Sequence, residues 1–366
     1  MKIRAEVLTE DTKEILTKLG VPEDAAQTVA EELVRSNLMG VDSHGVLRIP
    51  QYVKQIQDGF IKPDANVKVV KESPSTAIID ADCGFGHVAA RKMAQVVCEK
   101  AAKTGIACAL SMNSTHIGRA GAYTEWIARQ GMIGFAVAAV YTQGPLAPYG
   151  AAEGKLGTNP ISWAVPRYGA DPVIMDGATT IAAERKLRAY IQKGMQVPEG
   201  WIRDRHGNNT TNPEDFYKEP KGTILPIGGL NAGAAKGSAL SIMCDMFSIA
   251  LANDDYWTAL KEGGKLKAEN GFFLMAVNPE FFCGTLAYEK QVDNHARFIK
   301  DAKPAEGFDE VLLPGEFEFR QAKKKEQEGI DLPEETWNGL VSIGQKLGCK
   351  WSAGLETVKA KEFVQF

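Results

Sequence analysis

Residues 41–50, VDSHGVLRIP, place a hydroxyl, an imidazole and a guanidinium within six consecutive positions. Ser43 and His44 are adjacent, and Arg48 follows shortly after them. An imidazole titrates near neutral pH and can exchange a proton with a substrate oxygen, while a guanidinium can bind a carboxylate through two parallel hydrogen bonds. This pairing suits the interconversion of a 2-hydroxy acid and a 2-oxo acid, in which a hydride must also move.

Two other interpretations of this segment are open. One is nucleophilic hydrolysis by Ser43, although an active serine needs a base, an orienting group and an oxyanion hole, and the chain has no G-x-S-x-G motif. The other is structural: a surface histidine near a helix cap and an arginine in a salt bridge. On these residues alone, neither the structural nor the acid–base interpretation is favoured over the other.

Four further segments rich in small residues lie at the ends of predicted strands. They are 113–123 with His116, 147–166 with Thr158 and Asn159, 175–187 with Asp176 and Lys186, and 226–241 with Lys236. Taken singly, each is explained by a tight turn, an N-cap or a surface lysine. Taken together, they are typical of the rim of a cofactor cleft, and a helix that begins within 113–123 could bind a phosphate at its N-terminus.

A fifth glycine-containing segment resembles a dinucleotide-binding loop but is incomplete. Gly84-x-Gly86-x-x-Ala89 lies between a predicted strand and a predicted helix. The motif also requires an acid at the end of the next strand, where residues 111–113 read Ser-Met-Asn. We interpret these glycines as a plain turn from strand to helix.

The elements that must position these residues are helical near both termini. Apolar spacing predicts an N-terminal helix capped by Thr9, a second helix from Pro22 to Gly40, and a third that begins at Pro50. His44 and Arg48 then lie in the turn between the second and third helices. A further helix is predicted over 331–348.

The middle of the chain alternates strands and helices. Strands are predicted at 76–82, 107–113, 133–140, 161–166, 172–176, 222–229 and 271–279. The expected architecture is a mixed α/β protein. Its cofactor-binding core is residues 73–284, and residues 1–72 plus 285–366 form a helical lobe for substrate binding and dimerisation.

Composition argues against several classes of protein. The 366 residues carry a net charge of −4 without a basic block, so a nucleic-acid partner is not expected. The apolar segment 234–252 contains Lys236 and Asp245, which predicts a buried helix and no membrane partner. Six cysteines without a C-x-x-C pair, and no apolar leader, predict a reduced cytoplasmic protein without a metal site.

Eight segments in order along the chain resemble one family, the malate/lactate/sulfolactate dehydrogenases, whose nicotinamide-binding fold is unrelated to the Rossmann fold. They are VDSHGVLRIPQYV, STHIGRAGAY, GTNPISWAVP, MDGATT, VPEGW, LPIGGLNAGAAKG, LLPGEFEFR and GIDLPEETW. The resemblance covers nearly the whole chain. It implies hydride transfer between NAD, with NADP as the alternative, and a small 2-hydroxy acid, in a homodimer whose active site is completed across the interface.

The resemblance also implies a role for each matching residue. His44 exchanges a proton with the substrate oxygen, Ser43 orients it, and Lys186 is a further catalytic residue. Arg48 binds the substrate carboxylate and Thr158 contacts the substrate. The cofactor-binding residues that it implies are His116, Ile117, Gly118, Arg119, Ala120, Gly121, Asp176, Gly177, Ala178, Lys236, Gly237, Pro314, Gly315 and Glu316.

Two positions depart from the family pattern. Thr115 stands where the family usually has asparagine, and Arg185 replaces a common glycine, which puts a bulky cation near the expected cleft. Hydroxy-acid dehydrogenases tend to carry lysine at the position of Lys186, where imine-reducing relatives carry an acid. A cationic pair of Arg48 and Lys186 favours a small dicarboxylate, so malate and oxaloacetate are the expected substrate pair.

Two alternatives to malate oxidation follow from the same resemblance. One is a reductase of another 2-oxo or imino acid, related to lactate, sulfolactate, ureidoglycolate, diketogulonate or piperideine carboxylate. The other is a cofactor-binding protein without turnover, against which the intact Ser43, His44 and Arg48 argue.

Overall fold

The computed structural model describes residues 2–140, 144–252 and 270–350. Its strands are β1 (Lys2–Ile3), β2 (Lys68–Glu72), β3 (Thr76–Asp80), β4 (Ile106–Met112), β5 (Ile133–Val140), β6 (Ile161–Val165), β7 (Val173–Gly177), β8 (Ile202–Arg203), β9 (Asn209–Thr210), β10 (Thr223–Ile224), β11 (Asn270–Val277) and β12 (Ile330–Asp331). Its helices are α1 (Ala5–Lys18), α2 (Glu23–Leu38), α3 (Ile49–Gln57), α4 (Gly86–Thr104), α5 (Ala120–Arg129), α6 (Glu184–Gln192), α7 (Ala234–Ser248), α8 (Thr285–Lys300), α9 (Glu316–Glu328) and α10 (Glu334–Leu347).

A seven-stranded sheet with the order β2-β3-β4-β11-β5-β6-β7 forms the centre of the molecule. β3 and β4 are parallel and joined through α4, while the other neighbouring pairs are antiparallel. Apolar side chains of α4 and α5 pack on one face of the sheet, and α7 packs on the other through Cys244. The sheet confirms the predicted mixed α/β class.

The two ends of the chain fold together beside this sheet. β1 pairs with β12, with Ile3 opposite Ile330, and α1 packs against α2 and α10. One apolar cluster contains Leu8 and Leu33 from the first helices and Leu340 from the last. The division of the chain at residue 72 stays a prediction: β2 lies before that boundary but hydrogen-bonds to β3, and 351–366 lie outside the described residues.

Two sequence predictions about single elements are wrong, and one strand of the central sheet was missed. Thr9 does not cap α1, because the pairing of β1 fixes the chain earlier and the helix begins at Ala5; the Thr9 hydroxyl donates to the Ala5 carbonyl over 2.9 Å. The strand predicted at 222–229 is limited to β10, since Gly228 and Gly229 adopt φ of +96° and +55°. The charged edge strand β2 was not predicted, because it lacks a buried face.

Residues 234–248 form the predicted helix, but the prediction that this helix is buried is wrong for its large apolar side chains. α7 buries mainly small residues, while Met243 and Met246 are about half exposed and Phe247 is 40% exposed. Among the described residues, Ala234–Ala252 is the one helical stretch long and apolar enough to cross a membrane, and 39% of it is buried. Its small residues pack against the sheet, which turns its large apolar residues outward.

The segment between α2 and α3 forms two short 3₁₀ turns, Asp42–His44 and Val46–Arg48. The buried side chain of Asn37 holds both. Its Oδ1 accepts the Val46 N–H over 2.9 Å, and its Nδ2 donates to Asp42 Oδ1 over 2.8 Å. At Gly45 a Cβ atom would lie 2.3 Å from Asn37 Oδ1, so glycine is required for this close approach.

We predict that Asn37→Ala lowers the free energy of unfolding by about 1–3 kcal/mol, because it leaves a buried backbone N–H without a partner. Urea denaturation measures this change. Gln27→Ala, on the same helix, is the control, since Gln27 only pairs with Glu31 at the surface. Equal stabilities of the two variants would contradict the role given to Asn37.

Candidate active site

Three of the five histidines of the chain meet beside the Asp42–His44 turn. The His44 ring is stacked on His116 with a centroid distance of 5.5 Å and an interplanar angle of 14°. His87 lies edge-on to His116 at 5.9 Å, and neither of its ring nitrogens has a hydrogen-bond partner among the described residues. The Tyr52 hydroxyl hydrogen-bonds His116 Nδ1 over 2.7 Å. The rings thus form one packed group under His44.

The orientation of His44 is set by its neighbour. Ser43 Oγ and His44 Nδ1 form a hydrogen bond of 3.1 Å, so Nε2 is the nitrogen left to face a ligand. This geometry matches the orienting role that the sequence analysis gives to Ser43, which stays a prediction.

Arg48 is anchored at the same turn. Its Nε donates to the Ser43 carbonyl over 2.7 Å, and its Nη1 donates to Gln51 Oε1 over 2.8 Å. Nη2 makes no hydrogen bond to the described residues. The guanidinium is therefore held in place with one edge still able to bind an anion.

The charges around His44 favour its neutral form. Burial, followed by the positive charges of Arg48, Arg119 and Arg185, lowers the pKa of His44 to about 4. Burial also lowers the pKa of His116 well below its usual value. His44 is therefore a free base at neutral pH, and an anion bound among these arginines would raise its pKa.

Several residues predicted to bind the cofactor line one cavity of about 240 Å³. Its lining residues are Met39, Val41, Arg119, Ile174, Met175, Asp176, Pro314, Gly315 and Glu318. Arg119 Nη1 lies 3.7 Å from Asp176 Oδ2, and burial raises the pKa of the Asp176 carboxyl while Arg119 opposes that shift. The Ile174 N–H donates to the Pro314 carbonyl over 3.0 Å, which fixes the late loop against the edge of β7.

The chemistry of these residues fits a dinucleotide. Arg119 Nε is buried without a hydrogen-bond partner among the described residues, as is Thr180 Oγ1. Gly121 follows Arg119 at the start of α5, and a Cβ atom there would lie 2.4 Å from Asp176 Oδ2. A guanidinium suited to phosphate and a carboxylate suited to ribose hydroxyls thus lie together, and glycine at position 121 lets both side chains pack against the start of α5.

Hydrogen bonds of the main chain connect the remaining predicted segments. The Thr179 N–H donates to the Thr158 carbonyl, and the Ile227 N–H donates to the Thr179 carbonyl, both over 2.9 Å. Ile227 in turn contacts the start of α7, where a Cβ atom on Gly237 would lie 2.1 Å from its carbonyl oxygen. These contacts join Thr158 and the segment after Asp176 to the start of α7, which carries the exposed Lys236.

Two predicted site residues have other contacts. The Lys186 ammonium is exposed and lies 5.9 Å from the centre of the Trp201 ring, and it is the adjacent Arg185 whose charge acts on His44. The Glu316 carboxylate binds Lys300 at 2.7 Å and accepts the Leu313 N–H over 3.0 Å. With these contacts, Glu316 does not line the cavity. The acidic residue of α9 that does line it is Glu318.

The structure also explains Thr115 and the glycines before it. Thr115 Oγ1 donates to the Gly84 carbonyl over 2.8 Å and accepts the Gly86 N–H over 3.3 Å. A Cβ atom on Gly86 would lie 2.3 Å from the Thr115 carbonyl oxygen. Both glycines meet other parts of the protein, Gly86 the backbone of Thr115 and Gly84 the Ala65 side chain, as expected for a plain turn. Gly86 thereby packs against the segment that carries His116.

Sequence reasoning missed Asn37, Tyr52, His87 and Glu318 as parts of the site. The first two lie on apolar helix faces and resemble ordinary core residues. His87 follows Gly86 directly, and the rarity of histidine in this chain was a usable signal. Glu318 could not be separated from the other charges of its helix without the fold.

We predict that the imidazole of His44 titrates with a midpoint near pH 4 in the unliganded protein. Arg48→Gln should raise that midpoint, because it removes a positive charge that disfavours the imidazolium. NMR of the imidazole C2 proton, assigned with His44→Ala, measures both values. A midpoint near the ordinary 6.5 would contradict the described environment.

The chain is similar to known proteins over nearly its whole length. The profile of the malate/L-lactate dehydrogenase family matches residues 3–341. L-sulfolactate dehydrogenase of Methanocaldococcus jannaschii is 36% identical over 92% of this chain and 94% of its own, and malate dehydrogenase of Pyrococcus abyssi is 35% identical over 93% of each. The crystal structure of malate dehydrogenase from Entamoeba histolytica is 29% identical, covers 95% of this chain and 98% of its own, and superposes with a TM-score of 0.88. The chain therefore belongs to the malate/L-lactate dehydrogenase family, whose members are nicotinamide-dependent dehydrogenases of hydroxy acids.

Proposed function

We propose that this protein interconverts malate and oxaloacetate with NAD. The observation that carries the proposal is the neutral imidazole of His44, oriented by Ser43 and adjacent to an arginine with a free guanidinium edge. When bound, the nicotinamide supplies the acceptor or donor of the hydride at C2. The chain's own residues supply the binding of the carboxylate and the movement of the proton.

His44 moves that proton in either direction. During oxidation its neutral Nε2 accepts the proton of the substrate hydroxyl, and Ser43 at Nδ1 keeps the ring in place. During reduction the imidazolium returns the proton to the forming hydroxyl. A bound dianion raises the pKa of His44 towards neutrality, which makes both directions accessible.

Arg48 and Thr158 are proposed to bind the substrate. The free Nη2 edge of Arg48 is suited to the carboxylate next to the reacting carbon. Lys186 stays a candidate for the catalytic or substrate-binding group that the family resemblance implies. The alternative substrates are the 2-hydroxy acids lactate and sulfolactate, or ureidoglycolate, diketogulonate or piperideine carboxylate.

NAD is proposed as the preferred cofactor, with NADP as the alternative. Asp176 and Glu318 line the cavity beside Arg119, and carboxylates there can accept hydrogen bonds from ribose hydroxyls. The 2′-phosphate of NADP would meet the same two acids. The remaining predicted cofactor residues, from His116 to Gly121 and around Lys236, are proposed to complete the cofactor site.

We propose that residues 73–284 bind most of the cofactor and that the terminal lobe binds the substrate and adds Gly315 and Glu318 to the cofactor cavity. The partner subunit is proposed to contact the terminal lobe at α8 together with α7 of the core. The protein is proposed to act in the cytoplasm. We propose a homodimer whose active site is completed across the interface. The support is the apolar outer side of α7, where Met243, Met246 and Phe247 are exposed, together with Phe282 and Phe298 at α8. Exposed apolar surface of this kind is typical of an interface between subunits.

We predict that His44→Ala lowers kcat by about 10²–10⁴-fold while NADH binding is retained, because general acid–base help of that size is lost. The assay follows NADH or NADPH absorbance with oxaloacetate, pyruvate, sulfopyruvate and a cyclic imine. A parental rate in the variant would contradict the role of His44, and activity with the imine alone would contradict the proposed substrate.

We predict a mass of twice 39.7 kDa in solution, measured by light scattering during gel filtration. Met243→Lys should weaken the dimer because it places a charge on the outer side of α7. Gln327→Lys, an equal charge change on the exposed side of α9, should leave the mass unchanged. A monomeric wild-type protein would contradict the proposed interface.

A further inference from the structure

We propose that Arg185 binds the second acidic group of the substrate, so that the enzyme selects 2-hydroxy acids with a second carboxylate or a sulfonate over monoacids. The inference rests on the proposed function and names the residue that sets its substrate class.

The position of Arg185 is the first observation. It lies in the first turn of α6, and its Nη1 is 3.9 Å from Asp42 Oδ2. Asp42 belongs to the same 3₁₀ turn as His44, and its other carboxylate oxygen is held by Asn37. Arg185 is therefore placed across from the catalytic turn by an element distant in the sequence.

The ion pair between Arg185 and Asp42 is weak. The separation of 3.9 Å exceeds a hydrogen bond, and the side chains of Arg185 and Asp42 are 55% and 38% exposed. Exposed pairs of this kind contribute little to stability. The guanidinium of Arg185 can therefore turn from Asp42 to a bound anion at small cost.

The positive charges around His44 suit a substrate with two acidic groups. Arg48 and Arg185 both lower the pKa of the His44 imidazole, Arg48 from the neighbouring 3₁₀ turn and Arg185 from α6. Arg119, which also acts on it, is bound to Glu125 at 2.9 Å and lies beside Asp176. Two guanidinium groups near one imidazole suit a substrate whose reacting carbon lies between two acidic groups.

Lys186 is a weaker candidate for the same role. Its ammonium lies over the Trp201 ring at 5.9 Å, whereas Arg185 is among the charges that lower the pKa of His44. A lysine is also a point charge, whereas the planar guanidinium of Arg185 can bind a carboxylate or a sulfonate through two hydrogen bonds. The preference for a dianion is therefore assigned to Arg185.

The experiment compares wild type with Arg185→Gln and Arg185→Lys. Arg188→Gln is the matched control, because Arg188 lies on the same helix and pairs with Glu184 at the surface. For each protein, kcat/KM is measured with oxaloacetate, sulfopyruvate and pyruvate at one saturating NADH concentration. The ratio of each dianion to pyruvate cancels any general effect on His44 or on cofactor binding, and melting temperatures report folding.

We expect Arg185→Gln to lower both ratios at least tenfold, Arg185→Lys to lower them less, and Arg188→Gln to keep them. A wild-type preference for pyruvate, or unchanged ratios in Arg185→Gln, would overturn the assignment of Arg185 while the proposed chemistry stands. A wild-type protein inactive with all three oxo acids would overturn the proposed function, and this inference with it.

Discussion

The candidate site depends on one buried amide. Ser43, His44 and Arg48 lie in two short 3₁₀ turns whose few backbone hydrogen bonds each close a single turn, so a side chain is needed to hold the two turns together. Asn37 does this from α2, accepting the Val46 N–H and donating to Asp42. Because buried polar groups must find partners, the catalytic segment and the helix scaffold share one conformation. Side chains on a short loop are thereby held in fixed positions by a neighbouring helix.

Electrostatics connects this turn to substrate choice. The described structure places three arginines around an imidazole whose pKa is already lowered by burial, and a site of this kind is stabilised by an anion. In the proposed mechanism, the two ends of this group of charges bind different ligands. Arg48 and Arg185 border the proposed substrate position, while Arg119 borders the cavity with Asp176. In this proposal, one cluster of arginines lies next to the proton-transferring His44, the substrate carboxylate and the cofactor.

The sequence predicted those parts of the fold that depend on local pattern. β5 has the predicted bounds because its residues are uniformly apolar, and the turn that carries His44 follows from Gly40 and Pro50. Long-range partners could not be seen in this way. The stacking of His44 on His116, the clamp by Asn37 and the proximity of Arg185 each join residues far apart in the chain. The exposed side of α7 was also missed, since an apolar helix that faces a partner has the same composition as one in a core.

A crystal structure of the protein with NADH and oxalate, an unreactive analogue of a 2-oxo acid, tests the central claim most directly. The account predicts one oxalate carboxylate in hydrogen-bond contact with Arg48 Nη2, and an oxalate oxygen within hydrogen-bond distance of His44 Nε2. The nicotinamide ring should lie on the opposite side of the oxalate. A His44 side chain directed into solvent, remote from both ligands in the assembled oligomer, would contradict it.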